Sequence, residues 1–152
     1  MTPSDLWAFL VSGYIFTVAI EAPILFFGLS PRHSWQTRLI AGFWLTACTY
    51  PIVVLVLYLS IIPLWGYAVY LAIAETFAPG AECLLFYFAF AREADLRASE
   101  GGDAAKPLDA PADEKPVPIA LSPYDTWRDM AVIIVANLAS FLLGMWIQLV
   151  WQ

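Results

Sequence analysis

Three glutamates stand inside long apolar runs of this 152-residue chain: Glu21 in the first run, and Glu75 and Glu82 in the third. The stretch Glu75-Thr76-Phe77-Ala78-Pro79-Gly80-Ala81-Glu82-Cys83 joins two acids, a proline and a thiol within one apolar segment. At the centre of a membrane helix a charged carboxylate costs about 2.5 to 3.5 kcal/mol on insertion scales. Groups kept at that cost take up a proton, ligate a cation or accept hydrogen bonds from neighbouring helices. Thr46, Thr49 and Asn137 lie in two further apolar runs and supply neutral ligands or donors. Pro23, Pro51 and Pro79 each fall inside a run. Having no N–H, each is expected to kink its helix and to free the carbonyl four residues earlier, at Ala19, Ala47 and Glu75. Acids beside freed carbonyls suit a proton or a hard cation.

The elements that must hold these groups are membrane helices. Hydrophobic residues make up 61% of the chain and charged ones 13%, against about 45–50% and 25% in soluble domains. Four apolar spans are expected, over residues 6–29, 39–59, 66–90 and 130–150. Two dozen residues at about 1.5 Å each reach about 36 Å, enough for a hydrocarbon core of about 30 Å. The fold class is all-α: one polytopic membrane domain, a four-transmembrane-helix bundle. Ser60-Ile61-Ile62-Pro63-Leu64-Trp65 is expected to connect spans two and three. Residues 91–121 change character, with Gly101-Gly102, four prolines and many acids, and read as a flexible acidic loop. His33 falls in a polar turn and is expected to be solvated.

All 7 basic residues, Arg32, Arg38, Arg92, Arg97, Lys106, Lys115 and Arg128, lie in the first or third connection. The positive-inside rule puts the loops at 30–38 and 91–129 in the cytoplasm and both termini outside. The expected location is a bacterial inner membrane. Trp7, Trp65 and Trp151 mark the outer edge, and Trp35 and Trp127 the inner one.

With this topology, Glu21, Thr46, Glu82 and Asn137 fall at one depth, each about 10–12 Å above the inner edge. Glu75 is two turns higher, on the face of Glu82. Small and polar residues share these faces: Gly13, Thr17 and Gly28 with Glu21, Gly42 and Tyr50 with Thr46 and Thr49, and Ser140, Gly144 and Gln148 with Asn137. Such stripes let membrane helices approach closely. The spacing from Glu21 to Arg32 and from Glu82 to Arg92, with Arg38 and Arg128 opening the next spans, suggests two tandem helical hairpins. Cys48 and Cys83 have no CxxC spacing and read as inert thiols.

Glu21-Ala22-Pro23, Thr49-Tyr50-Pro51 and the Glu75/Glu82 pair resemble small four-span bacterial inner-membrane proteins of unassigned function. The resemblance covers about the first ninety residues and implies a membrane location without a mechanism. Where that pattern would place an Asn early in span two, this chain has Ala47 and Cys48.

Two functional readings follow. In the first, Glu21 and Glu82 bind or conduct a proton or cation, Glu75 is an outer station, and Asn137, Thr46 and Thr49 assist; a bound cation would be the one cofactor. In the second, the chain is an accessory or assembly subunit whose polar layer serves packing. Its partners would then be other membrane subunits or further copies, and Phe86, Tyr87, Phe88 and Phe90 would face lipid, pigment or a partner helix. No Ser/His, Cys/His or HExxH arrangement supports an enzyme, and the loops form no basic surface for nucleic acid.

Overall fold

The computed structural model describes residues 3–92 and 123–150, and no strand occurs among them. Helix α1 (Pro3–Gly28) is followed by a turn, after which Ser34 caps α2 (Trp35–Pro51) by accepting the backbone N–H of Thr37. A π-helical stretch (Ile52–Leu57) leads into α3 (Tyr58–Phe86), which ends in a second π-helical stretch (Tyr87–Ala91). Helix α4 spans Pro123–Val150. The expected acidic loop at 91–121 lies outside the described residues apart from Ala91 and Arg92, which are helical.

Three helical stretches are long and apolar enough to cross a membrane: Trp7–Gly28, Trp35–Ala91 and Asp125–Val150. Held straight, the middle stretch would extend about 86 Å at 1.5 Å per residue, far beyond a bilayer core. It does not run straight. Gly66, at φ 80° and ψ 173°, is the one residue with positive φ among those described. Glycine takes this conformation without a Cβ penalty. The space around Gly66 is open, so backbone conformation is the constraint there, not crowding. Beyond it the chain folds back: the rings of Tyr58 and Tyr70 meet edge to face at 5.4 Å, and Thr49 of α2 reaches Glu82 of α3.

The packed core lies toward the end that carries Arg32, Arg38 and Arg92, called here the basic end. Leu25, Leu29, Ala41, Leu45, Phe86, Ala91, Ile133 and Ala136 fill it. Helices α1 and α2 approach closely because Gly42 has no side chain: a Cβ there would stand 2.8 Å from the Cα of Ala22. Large apolar side chains such as Phe27, Leu64 and Trp127 point outward, as lipid-facing residues do.

Several expectations change. The residues at 60–65 are helical, and the reversal comes at Gly66 instead. Helices α1 and α3 continue through Pro23 and Pro79, with no non-helical residue at either. At Pro51 the chain passes into the π-helical stretch, which closes with an i→i−5 bond from Tyr58 N–H to the Val53 carbonyl. Phe86 does not face lipid or a partner; it is fully buried against His33 and Phe90, while Phe88 is exposed.

Replacing Gly42 by Val is expected to cost about 1 to 3 kcal/mol through overpacking against Ala22. Gly80, in the same fold, has nothing within 4 Å of its missing Cβ. Gly80→Ala should therefore hold or raise stability. Thermal unfolding of both variants in detergent checks the contrast.

Candidate functional site

The polar faces of α1, α2, α3 and α4 meet at two carboxylates. Glu21 and Glu82 are each 2% exposed. Glu21 Oε2 accepts from Thr46 Oγ1 at 2.8 Å, and its Oε1 accepts from Ser140 Oγ at 2.6 Å. Glu82 Oε1 accepts from Thr49 Oγ1 at 2.7 Å, and its Oε2 accepts from Asn137 Nδ2 at 2.8 Å. Each acid thus takes one donor from α2 and one from α4. The donors come in i, i+3 pairs, Thr46 with Thr49 and Asn137 with Ser140, which share a helix face. Glu21 uses the first of the α2 pair and the second of the α4 pair; Glu82 uses the reverse. A twofold exchange of α1 with α3 and of α2 with α4 would generate this pattern.

The hydroxyls are also within reach of their own helix carbonyls: Thr46 of Gly42 at 3.4 Å, Thr49 of Leu45 at 3.1 Å, and Ser140 of Asn137 at 2.9 Å. A hydroxyl carries one proton and can also accept. Facing an ionised glutamate, it donates to the carboxylate. Facing a protonated one, it accepts the acid proton and turns its own proton to the carbonyl. The same side chains therefore satisfy both charge states of the acids without moving a helix.

Above these acids, toward the Gly66 end, lies a cavity of about 300 Å³. Glu21, Thr46, Thr49, Glu82, Asn137 and Ser140 line its deep part; Glu75, Tyr50 and Tyr70 line it further out; Phe9, Tyr67 and Met145 are partly exposed at its rim. Among the described residues no Lys, Arg or His lines it. Glu75 reaches the cavity but has no hydrogen-bond partner among the described residues. Pro23, Pro51 and Pro79 do not line it. Among the described residues no group of three or more His, Cys, Asp or Glu side chains is placed to hold a metal ion together. Cys48 and Cys83 are free thiols, and Cys83 Sγ lies 3.8 Å from the Met130 carbonyl.

A second polar cluster closes the basic end. Asp129 is fully buried. It accepts the Ser30 backbone N–H at 2.6 Å, the Ser30 hydroxyl at 3.0 Å and Arg32 Nη2 at 2.8 Å, and it lies 3.0 Å from His33 Nε2. His33 is therefore buried, at 4% exposure, and not solvated as its polar surroundings in sequence suggest. Arg128 adds a bond to the Gly28 carbonyl at 3.1 Å. This cluster ties the α1–α2 turn to the start of α4. Asp129 stands beside Arg128 at the edge of a polar segment, so nothing in the local pattern marks it as buried. Ser140 has a sequence signal, its place three residues after Asn137 on the same stripe, but its bond to Glu21 depends on how α4 packs against α1.

Asp129→Ala should destabilise the fold by about 3 to 5 kcal/mol, the usual result of removing one partner from a buried ion pair. Arg32, the basic member of the pair, has a side chain only 12% exposed. A large fall in the unfolding midpoint, with a smaller fall for Asp129→Asn, checks this. No protein-family model, no curated protein and no solved structure matches this chain.

Proposed function

We propose that the chain is a four-span membrane protein built from two helical hairpins, and that Glu21 and Glu82 bind a proton or cation delivered through the cavity above them. The observation that carries this reading is the missing countercharge. Among the described residues, two carboxylates are buried with only hydroxyl and amide donors around them, and no basic side chain lines their cavity. A buried charge must be paired or neutralised. Here the neutralising group has to be a proton or a cation from outside the fold. The hydroxyls that can reverse their donor direction favour a proton at this depth, since the network is complete with or without it.

The exchange of donors between Glu21 and Glu82 supports the paired-hairpin architecture, as do the reversal at Gly66 and the fold-back it begins. The basic residues at one end favour that end as cytoplasmic, with the termini outside and the cavity on the outer side. A bacterial inner membrane and the small four-span proteins of similar motif fit this reading. The second reading, an accessory subunit with a purely structural polar layer, has one observation in its favour: both oxygens of each acid already have donors, as helix-to-helix glue requires.

Carboxyl infrared bands recorded across pH and in different cations separate the two. The expected result is a band that titrates or shifts with the cation, disappears in Glu82→Gln, and leaves the helical content intact. Bands for Glu21 and Glu82 that hold one state throughout, indifferent to cations, would assign both acids to packing.

A further inference from the structure

The cavity contains acceptors that the buried network does not use. Glu75 has no hydrogen-bond partner among the described residues, although it lines the cavity. It also breaks the symmetry of the two halves: Glu82 matches Glu21, but seven residues before Glu21 stands Tyr14, whose hydroxyl bonds the Phe43 carbonyl. Packing of the two hairpins therefore does not require Glu75. Tyr70, only 9% exposed, also lines the cavity, and its hydroxyl has no partner among the described residues. Asn137 is 7% exposed; its Nδ2 serves Glu82 and the Ile133 carbonyl, while its Oδ1 accepts from no described residue. Every fully buried side-chain nitrogen or oxygen among the described residues has a hydrogen-bond partner. The Tyr70 and Asn137 oxygens are thus open to the cavity they line.

These groups select a ligand class. A carboxylate, an amide oxygen and a phenol oxygen all accept hydrogen bonds, and no cation of the protein competes for them. The walls beside them are aromatic, with Tyr50 and Tyr67 next to Tyr70. Aromatic faces attract ammonium groups. At about 300 Å³ the cavity would hold about ten waters, which is far more space than a bare ion fills. The size is at the lower end of pockets for small organic ligands. Resting on the reading of Glu21 and Glu82 as a proton or cation site, we propose that the outer part of this cavity binds a small organic amine. Its primary or secondary ammonium would lie against Glu75, with Tyr70 and Asn137 as acceptors and its apolar body along the tyrosine wall. Glu21 and Glu82 beneath would then hold the proton whose uptake or release accompanies the bound cation.

Phenethylammonium is a suitable probe, with 2-phenylethanol as its neutral counterpart and sodium as an inorganic competitor. Isothermal titration of the purified full chain in detergent, corrected with empty micelles, gives the affinities. The expected result is saturable binding of phenethylammonium, weakened about tenfold or more by Glu75→Gln. That variant should keep the wild-type unfolding midpoint, since Glu75 has no hydrogen-bond partner among the described residues. Tyr70→Phe should weaken binding less, and 2-phenylethanol should not bind saturably. Equal affinity for 2-phenylethanol, an unchanged affinity in Glu75→Gln, displacement by an equal concentration of sodium, or no binding at all would each overturn the proposal. Infrared titration of the same sample keeps the two readings apart. Absent amine binding with titrating Glu21 or Glu82 bands removes the amine alone; absent binding with fixed bands removes both.

Discussion

Two carboxylates buried without a basic partner among the described residues are the constraint on which the arrangement of this protein depends. Each oxygen of Glu21 and Glu82 must meet a donor, and the donors stand on helices far apart in sequence. In a medium without water, an unsatisfied polar group costs several kcal/mol. The requirement therefore acts on helix register. A rotation or slide of α4 by one residue would take Asn137 from Glu82 and Ser140 from Glu21 together. Apolar packing alone tolerates such slides far better, because lipid tails and leucines are equivalent neighbours.

The rest of the fold makes this meeting possible. Gly42 lets α1 and α2 come close enough for Thr46 to reach Glu21. The break at Gly66 returns the chain so that Glu82 faces Thr49. At the basic end, Asp129 gathers Ser30, Arg32 and His33, and so holds the start of α4 against the α1–α2 turn. Below the acids the packing is dense and apolar; above them it opens into the cavity. Among the described residues, the acids are therefore reached through the cavity on the Gly66 side.

The two buried clusters solve the same electrostatic problem differently. Asp129 is neutralised inside the protein by Arg32, with His33 alongside. Among the described residues, Glu21 and Glu82 are surrounded by dipoles only. An arginine stands beside Asp129, and among the described residues none stands beside Glu21 or Glu82. Glu75 accepts no hydrogen bond from any described residue.

The sequence by itself determined the class and the level of the polar layer. A hydrophobic run long enough to span a bilayer can only be helical there, so apolar length fixes element type, and rise per residue fixes depth. Glu21, Thr46, Glu82 and Asn137 could be matched in height on that basis. The faces were legible as well, because helical period sets which of Gly13, Thr17 and Glu21 point the same way. Tertiary structure decided which donor serves which acid, since the crossing of α4 over α1 and α3 depends on side-chain packing that no local pattern encodes. It decided that Gly66, and not the Pro63 region, turns the chain, because a positive φ needs the freedom of glycine. It also buried Asp129, His33 and Phe86, whose neighbours in sequence are polar or lipid-facing, because burial is a property of what packs against a residue and not of what precedes it.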